Sequence, residues 1–222
     1  MKTTNNIAAI DELCSLEDVF TTGQAARMGI SRLALSRAAA DGYLERLGHG
    51  VYRRASSLGS EHVEARAGWK LTAPEKLSHE RMSEPFDGVA ARGRSASCVH
   101  GIGDFLPHPA EIAVPRRFNS RREGVVYRRE ALAEEDVVWR EGLPVTRVGK
   151  TLLDLWEDGE DPSLVGNALV DAVDKYGTDT LTLGELKGYL GEDLLGEMLA
   201  SADVEASMVV TDKLGHIALM KR

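Results

Sequence analysis

Between Phe20 and Arg54 the chain is punctuated at short intervals, and that punctuation leaves few folds open. Thr21 and Thr22 can N-cap a short helix, Gly23 to Met28, with Ala25 and Ala26 inside it. Gly29 stands where such a helix stops. Ser31 can cap a second helix that runs to about Asp41 and ends at Gly42. Two short helices around Gly29-Ile30 make a helix-turn-helix. Two strand-like runs come next, residues 43–47 and 51–54, on either side of Gly48-His49-Gly50. They predict a β-hairpin, and a helix-turn-helix followed at once by a hairpin is a winged helix. Upstream, Ile7, Ile10, Leu13 and Cys14 recur at spacings of three and four and predict one face of an amphipathic helix.

The second short helix would turn Ala34, Leu35, Ala38 and Ala39 inward and Arg32, Leu33, Ser36, Arg37 and Ala40 outward. In this motif such a helix enters the major groove. Arg32 and Arg37 are long donors, and arginine can bond guanine bidentately. Ser31 and Ser36 suit phosphates or base edges. Arg46, His49, Arg53 and Arg54 lie on or beside the wing and are expected to face phosphate or the minor groove. With Thr22 and Leu33 they complete the expected DNA-binding set. The alternative is a winged helix used only for protein contacts.

Charge first argues against this reading. The 222 residues carry 27 basic and 35 acidic side chains, net −8, whereas nucleic-acid-binding domains usually carry excess positive charge. The distribution reverses the argument. Residues 21–55 hold six arginines against two acids, net +4, and residues 92–129 hold eight arginines against three, net +5. Residues 130–222 hold eight basic residues against twenty acids, net −12. Two arginine-rich islands and an acidic end are the pattern of a nucleic-acid-facing part joined to something else.

The expected class is α+β: an N-terminal winged helix-turn-helix over 1–56, a helical connector over 57–91 and a larger mixed α/β domain over 92–222. In the connector, residues 61–71 suit a helix, and Pro74, Pro85 and Gly88 punctuate the rest of it. Beyond it come a short helix over 94–101 and strands over 111–115, 125–129, 136–139 and 144–146. Helices over 150–156 and 161–176, a helix opened by Thr182, and a hairpin from 208–211 and 216–219 complete the chain. Arg116, Arg117, Arg121 and Arg122 crowd a loop, with Arg128 on the strand after it. The loop either binds nucleic acid, phosphate or an acidic partner, or it is simply solvated.

Several motifs fail. Gly149-Lys150-Thr151 lacks the earlier glycine of a phosphate-binding loop, since position 144 is Pro. Glu185 and Lys187, with Asp171 or Asp179, resemble a nuclease set, but the first two lie in a helical pattern. Cys98 and His100 are two apart and point in different directions on a helix. Two isolated cysteines and six histidines without ligand spacing give no metal site, and no cofactor is expected. No apolar run approaches the ~18 residues of a membrane span. The N-terminus lacks the pattern of a signal peptide, so a cytoplasmic protein that is not an enzyme is expected.

The residues resemble a known family. Phe20-Thr21-Thr22-Gly23-Gln24-Ala25-Ala26 through Gly29-Ile30-Ser31-Arg32, then residues 44–53, look like the N-terminal domain of AbiEi-type antitoxins. The likeness continues in order through Arg94-Ser95-Ala96, His100-Gly101-Ile102, residues 113–117, residues 143–146 and residues 151–155. The resemblance implies the antitoxin of a type IV toxin–antitoxin pair linked to abortive phage infection. It implies a winged helix that represses its own operon by binding inverted repeats in double-stranded promoter DNA. It also implies opposition, direct or functional, to a cognate nucleotidyltransferase toxin. For that role the arginines at 116, 117, 121, 122 and 128 are the expected partner-binding residues. The alternative reading is a winged-helix regulator whose C-terminal domain senses a ligand or dimerises.

Overall fold

A computed structural model describes residues 2–57, 62–120, 122–202 and 209–219. The chain begins with α1 (Lys2–Leu16), β1 (Val19–Thr21), α2 (Thr22–Arg27), α3 (Arg32–Ala40), β2 (Leu44–Gly48) and β3 (Val51–Arg54). It continues through α4 (Val63–Thr72), α5 (Ser78–Ser83), β4 (Ala90–Ala91), α6 (Gly93–His100), β5 (Ala110–Val114) and β6 (Val125–Arg129). A short 3-10 turn, Glu134–Asp136, leads to β7 (Val137–Arg140) and β8 (Leu143–Thr146). Then come α7 (Val148–Glu157), α8 (Pro162–Tyr176), α9 (Leu183–Ser201), β9 (Val209–Thr211) and β10 (Ile217–Leu219).

The chain forms two compact units, one of residues 1–89 and 112–132, the other of residues 90–111 and 133–222. These do not part at the boundaries expected from sequence. Residues 57–89 of the expected connector and the arginine loop both belong to the first unit. The physical reason lies in α4. The Tyr127 hydroxyl donates to the Gly68 carbonyl at 3.0 Å, and Arg122 donates to Glu64 at 2.6 Å. By this division the first unit has 17 basic and 14 acidic residues, net +3, and the second ten and 21, net −11.

The first unit begins as the winged helix expected. Thr21 caps α2 with a reciprocal box: its hydroxyl accepts from the Gln24 amide at 3.2 Å, and the Gln24 side chain accepts from the Thr21 amide at 2.8 Å. Ser31 caps α3 by accepting from the Ala34 amide at 3.2 Å. Strand β3 pairs antiparallel with both β2 and β1, so the wing carries a third strand, residues 19–21, that its three-residue length hid from sequence. Ile10, Leu13, Phe20, Leu35, Leu44 and Tyr52 form the core beneath it. Ile7 departs from the predicted face and is 42 % exposed.

A second device fixes α4 to the winged helix. Lys70 and Glu17 are both buried and paired, and Glu17 also accepts from the Ser78 amide at 2.6 Å. Burial lowers the Lys70 pKa against the opposing pull of that carboxylate. Helix α5, which supplies Ser78, had no periodic signal in the sequence.

In the second unit β4 runs parallel to β8, and β7 pairs antiparallel with β8 around Glu141-Gly142. Helices α7, α8 and α9 enclose a core that includes Leu152, Leu155, Leu169, Leu186 and Met198. Thr182 caps α9 as expected, accepting from the Glu185 amide at 3.1 Å. Gly191 breaks α9 with φ +71, a conformation that favours glycine. β9 and β10 form the terminal hairpin; Met208 of the predicted hairpin lies outside the described residues.

Candidate nucleic-acid interface

Helix α3 displays what its sequence pattern predicted. Leu35 and Ala38 are buried, while Arg32, Leu33, Ser36 and Arg37 are exposed. Leu33 is 60 % exposed, a large apolar side chain left on an otherwise polar face. The turn before the helix is set by Gly29, at φ +75, and by the Ile30 amide donating to the Ala25 carbonyl at 2.9 Å. Ile30 then plugs the core, which fixes the angle at which α3 leaves α2.

The wing is held against the first turn of α2. The Thr22 amide donates to the Gly50 carbonyl at 2.9 Å, and Gly50 sits at φ +72. A Cβ at Gly50 would lie 3.2 Å from the Thr22 hydroxyl oxygen. The result is a concavity of about 230 Å³ that brings Thr22, Arg32 and Ser36 together with Arg46, His49 and Tyr52. Five of the expected DNA-binding residues therefore line one groove between helix and wing.

The first unit's charges sort into two classes. Asp11, Glu17, Asp18 and Glu45 pair with Arg54, Lys70, Arg66 and Arg53. Glu64, Glu80, Glu84 and Asp87 pair with Arg122, Arg27, Lys76 and Arg81. Among the described residues, Arg32, Arg37, Arg46, Arg116, Arg117 and Arg129 pair with no carboxylate. Arg46 donates to the Gly48 carbonyl at 3.2 Å, and Arg117 to the Asn119 side chain at 3.3 Å.

Arg53 and Arg54 are placed differently from the expectation. Arg53 donates to Glu45 across the hairpin at 2.6 Å. Arg54 turns to α1 and donates there to Asp11; at 3.1 Å it also donates to the hydroxyl of Tyr43, just ahead of β2. Hydrogen bonds from Tyr43 and Arg54 hold the Asp11 carboxyl below its usual range. Sequence reasoning had no signal for this partner, 43 residues away.

The expected partner-binding residues also separate. Arg116, Arg117 and Arg128 are exposed. Arg122 is nearly buried, its side chain 7 % exposed, and is gripped by Glu64 and the Leu47 carbonyl at 3.2 Å. Arg121 lies outside the described residues. Beneath the loop Phe118 packs on Tyr127 with ring centroids 4.6 Å apart, and burial pushes the Tyr127 pKa up to about 12.

The motifs set aside as chemistry have structural partners in the second unit. The His100 ring nitrogen Nε2 meets the Thr146 carbonyl at 2.7 Å, and the Cys98 thiol donates to the Phe105 carbonyl at 3.2 Å. Glu185 faces Arg147 at 4.0 Å, whereas Lys187 pairs with Glu192 at 2.7 Å. Asp171 accepts from the Gly103 amide at 2.8 Å. Among the described residues, no three His, Cys, Asp or Glu side chains are grouped to hold a metal. No helix among them is long and apolar enough to cross a membrane.

The structure is similar to the crystal structure of the RV2827C protein from Mycobacterium tuberculosis, with a TM-score of 0.51 and 15 % sequence identity. The match covers 98 % of this chain and 92 % of that one, and it speaks to the fold alone. No curated protein matches the chain. Residues 9–55, which hold most of α1, the helix-turn-helix and the wing, match the family model described as a transcriptional regulator, AbiEi antitoxin. Over these residues the chain is similar to the AbiEi antitoxin transcriptional regulators.

Proposed function

We propose that this protein is the antitoxin of a type IV toxin–antitoxin pair and represses its own operon, without catalysing a reaction. The observation that carries the DNA-binding half is the sorting of charge. Arg53 and Arg54 are paired with carboxylates, while the arginines facing the helix–wing groove are not, among the described residues. An exposed guanidinium without a carboxylate is matched by phosphates or by guanine edges. Helix α3 reads the major groove through Arg32, Leu33, Ser36 and Arg37, with Leu33 suited to a thymine methyl. Ser31 caps α3 at its entry, and Arg46 and His49 meet the backbone beside it. A protein that reads operon DNA works in the cytoplasm.

The second unit, with its net charge of −11, is the part we assign to neutralising the nucleotidyltransferase toxin. The test separates the two activities. Arg32→Ala with Arg37→Ala should weaken binding to a duplex from the DNA upstream of the gene by at least about thirtyfold, two lost base contacts at roughly 1–3 kcal/mol each. Growth rescue on co-expression with the adjacent nucleotidyltransferase should persist. Unchanged affinity at fixed salt in that double variant would end the recognition-helix assignment. Failure of the wild-type chain to rescue growth would end the antitoxin assignment.

A further inference from the structure

The arginine loop is part of the first unit, and its position there bears on its partner. Four arginines within seven residues repel one another unless anions are near. One of the four is relieved internally, because Arg122 is clamped between Glu64 on α4 and the Leu47 carbonyl on the wing. A Cβ on Gly48 would lie 2.5 Å from the Arg122 guanidinium, so the glycine of the wing makes room for this clamp. Among the described residues Arg116 and Arg117 gain no such relief; both are exposed, and Arg117 donates to the neutral Asn119.

The clamp places the loop on the flank of the wing. Leu47, Gly48 and His49 line a cavity of about 740 Å³ together with Phe118, Asn119 and Arg122. His49 also lines the helix–wing groove, so the two concavities meet at the wing tip. The order across the surface is helix α3, wing, loop. We propose that the loop is a third DNA-contacting element, in which Arg116 and Arg117 hold phosphates beyond the wing. Arg122 is a positioning residue that fixes the loop and does not touch DNA. This rests on the reading of α3 and the wing as the DNA-binding face, and it moves Arg116 and Arg117 from a protein partner to nucleic acid.

The test compares Arg116→Ala/Arg117→Ala with the wild type on labelled duplexes from the upstream DNA, one of about 40 base pairs and one of about 12, little more than a helical turn. On the long duplex the slope of log affinity against log salt should become shallower by about 1.8, the counterions released at two phosphates. On the short duplex the two proteins should bind alike. Arg116→Lys/Arg117→Lys should restore the slope, since a phosphate contact needs charge and not a fork. An unchanged slope on the long duplex would overturn the proposal. So would unchanged DNA binding with lost growth rescue, which would give the loop to a protein partner. The Arg32→Ala/Arg37→Ala variant keeps the failures apart. If it loses binding while the loop variant does not, only the loop proposal falls; if the wild type binds neither duplex, both fall.

Discussion

Arg32 and Arg92 stand at comparable places, the first at the opening position of α3 and the second at the N-cap of α6. A cation there opposes the partial positive charge of a helix N-terminus. In the second unit the conflict is resolved internally: Arg92 is buried, 2.6 Å from Asp158 and 3.2 Å from Asp154. Arg94 of the same helix has Glu160 at 3.1 Å and Glu111 at 3.7 Å. In the first unit Arg32 is exposed and pairs with no carboxylate among the described residues. An arginine held by carboxylates stabilises the fold, whereas under the proposed function an arginine left without them at a helix N-terminus is there for an anion from outside. Total charge does not distinguish the cases; partner by partner, the structure does.

The comparison breaks most sharply at Asp154. This carboxylate is fully buried and holds both Arg92 and Lys150. Asp154→Ala should destabilise the second unit by about 3–5 kcal/mol, the usual cost of leaving a buried charge without its partner. Trp139 and Trp156 report on that unit once Trp69 is replaced by Phe, so a urea melt followed by their fluorescence measures the loss. DNA affinity of the folded fraction should stay within about twofold of wild type. Equal damage to both properties would mean that the units do not divide the work.

His100 gives a pH-dependent form of the same contrast. Its ring is buried, and burial lowers its pKa to about 4. The folded state holds it neutral, while the unfolded chain takes up a proton near pH 6.5. The contribution is therefore complete above about pH 6.5 and is lost as pH falls toward 4, by about 3 kcal/mol in total. Urea midpoints of the wild type and His100→Gln, followed by the same fluorescence, should converge as pH falls from about 7.5 to about 4.5. A constant difference across that window would remove the histidine from the account.

The sequence was legible where the determinants are local. Thr21, Ser31, Gly29, Gly42 and Gly50 each act within a few residues, so the helix-turn-helix and the wing could be read from spacing. It was illegible where a partner comes from far along the chain. Arg53 and Arg54 are adjacent, yet one meets Glu45 eight residues away and the other Asp11 at 43. Arg122 is indistinguishable from Arg116 in a basic run until Glu64 is placed beside it, 58 residues upstream. The division into units differs from the expected boundaries for the same reason, since residues 112–132 join α4 through Tyr127 and Arg122.

The smallest expected effect sharpens the comparison by changing a paired arginine into an unpaired one. Arg53 sits on the wing strand β3, and its guanidinium is held by Glu45 across the hairpin at 2.6 Å. Glu45 is about half exposed, so the pair contributes little to the fold, and Glu45→Gln should shift stability by no more than about 0.5 kcal/mol. Removing the carboxylate also removes a negative charge from the wing and leaves Arg53 in the condition of Arg32. If the lack of a carboxylate is what turns an arginine toward DNA, Glu45→Gln should bind the upstream duplex tighter, by about two- to fivefold at low salt, with a slope steeper by up to about 0.9. A second change, Arg53→Ala in the Glu45→Gln background, should remove most of that gain. Tighter binding that survives the loss of Arg53 would instead be a general effect of charge, and the state of each arginine's own partner would no longer explain which of them face the nucleic acid.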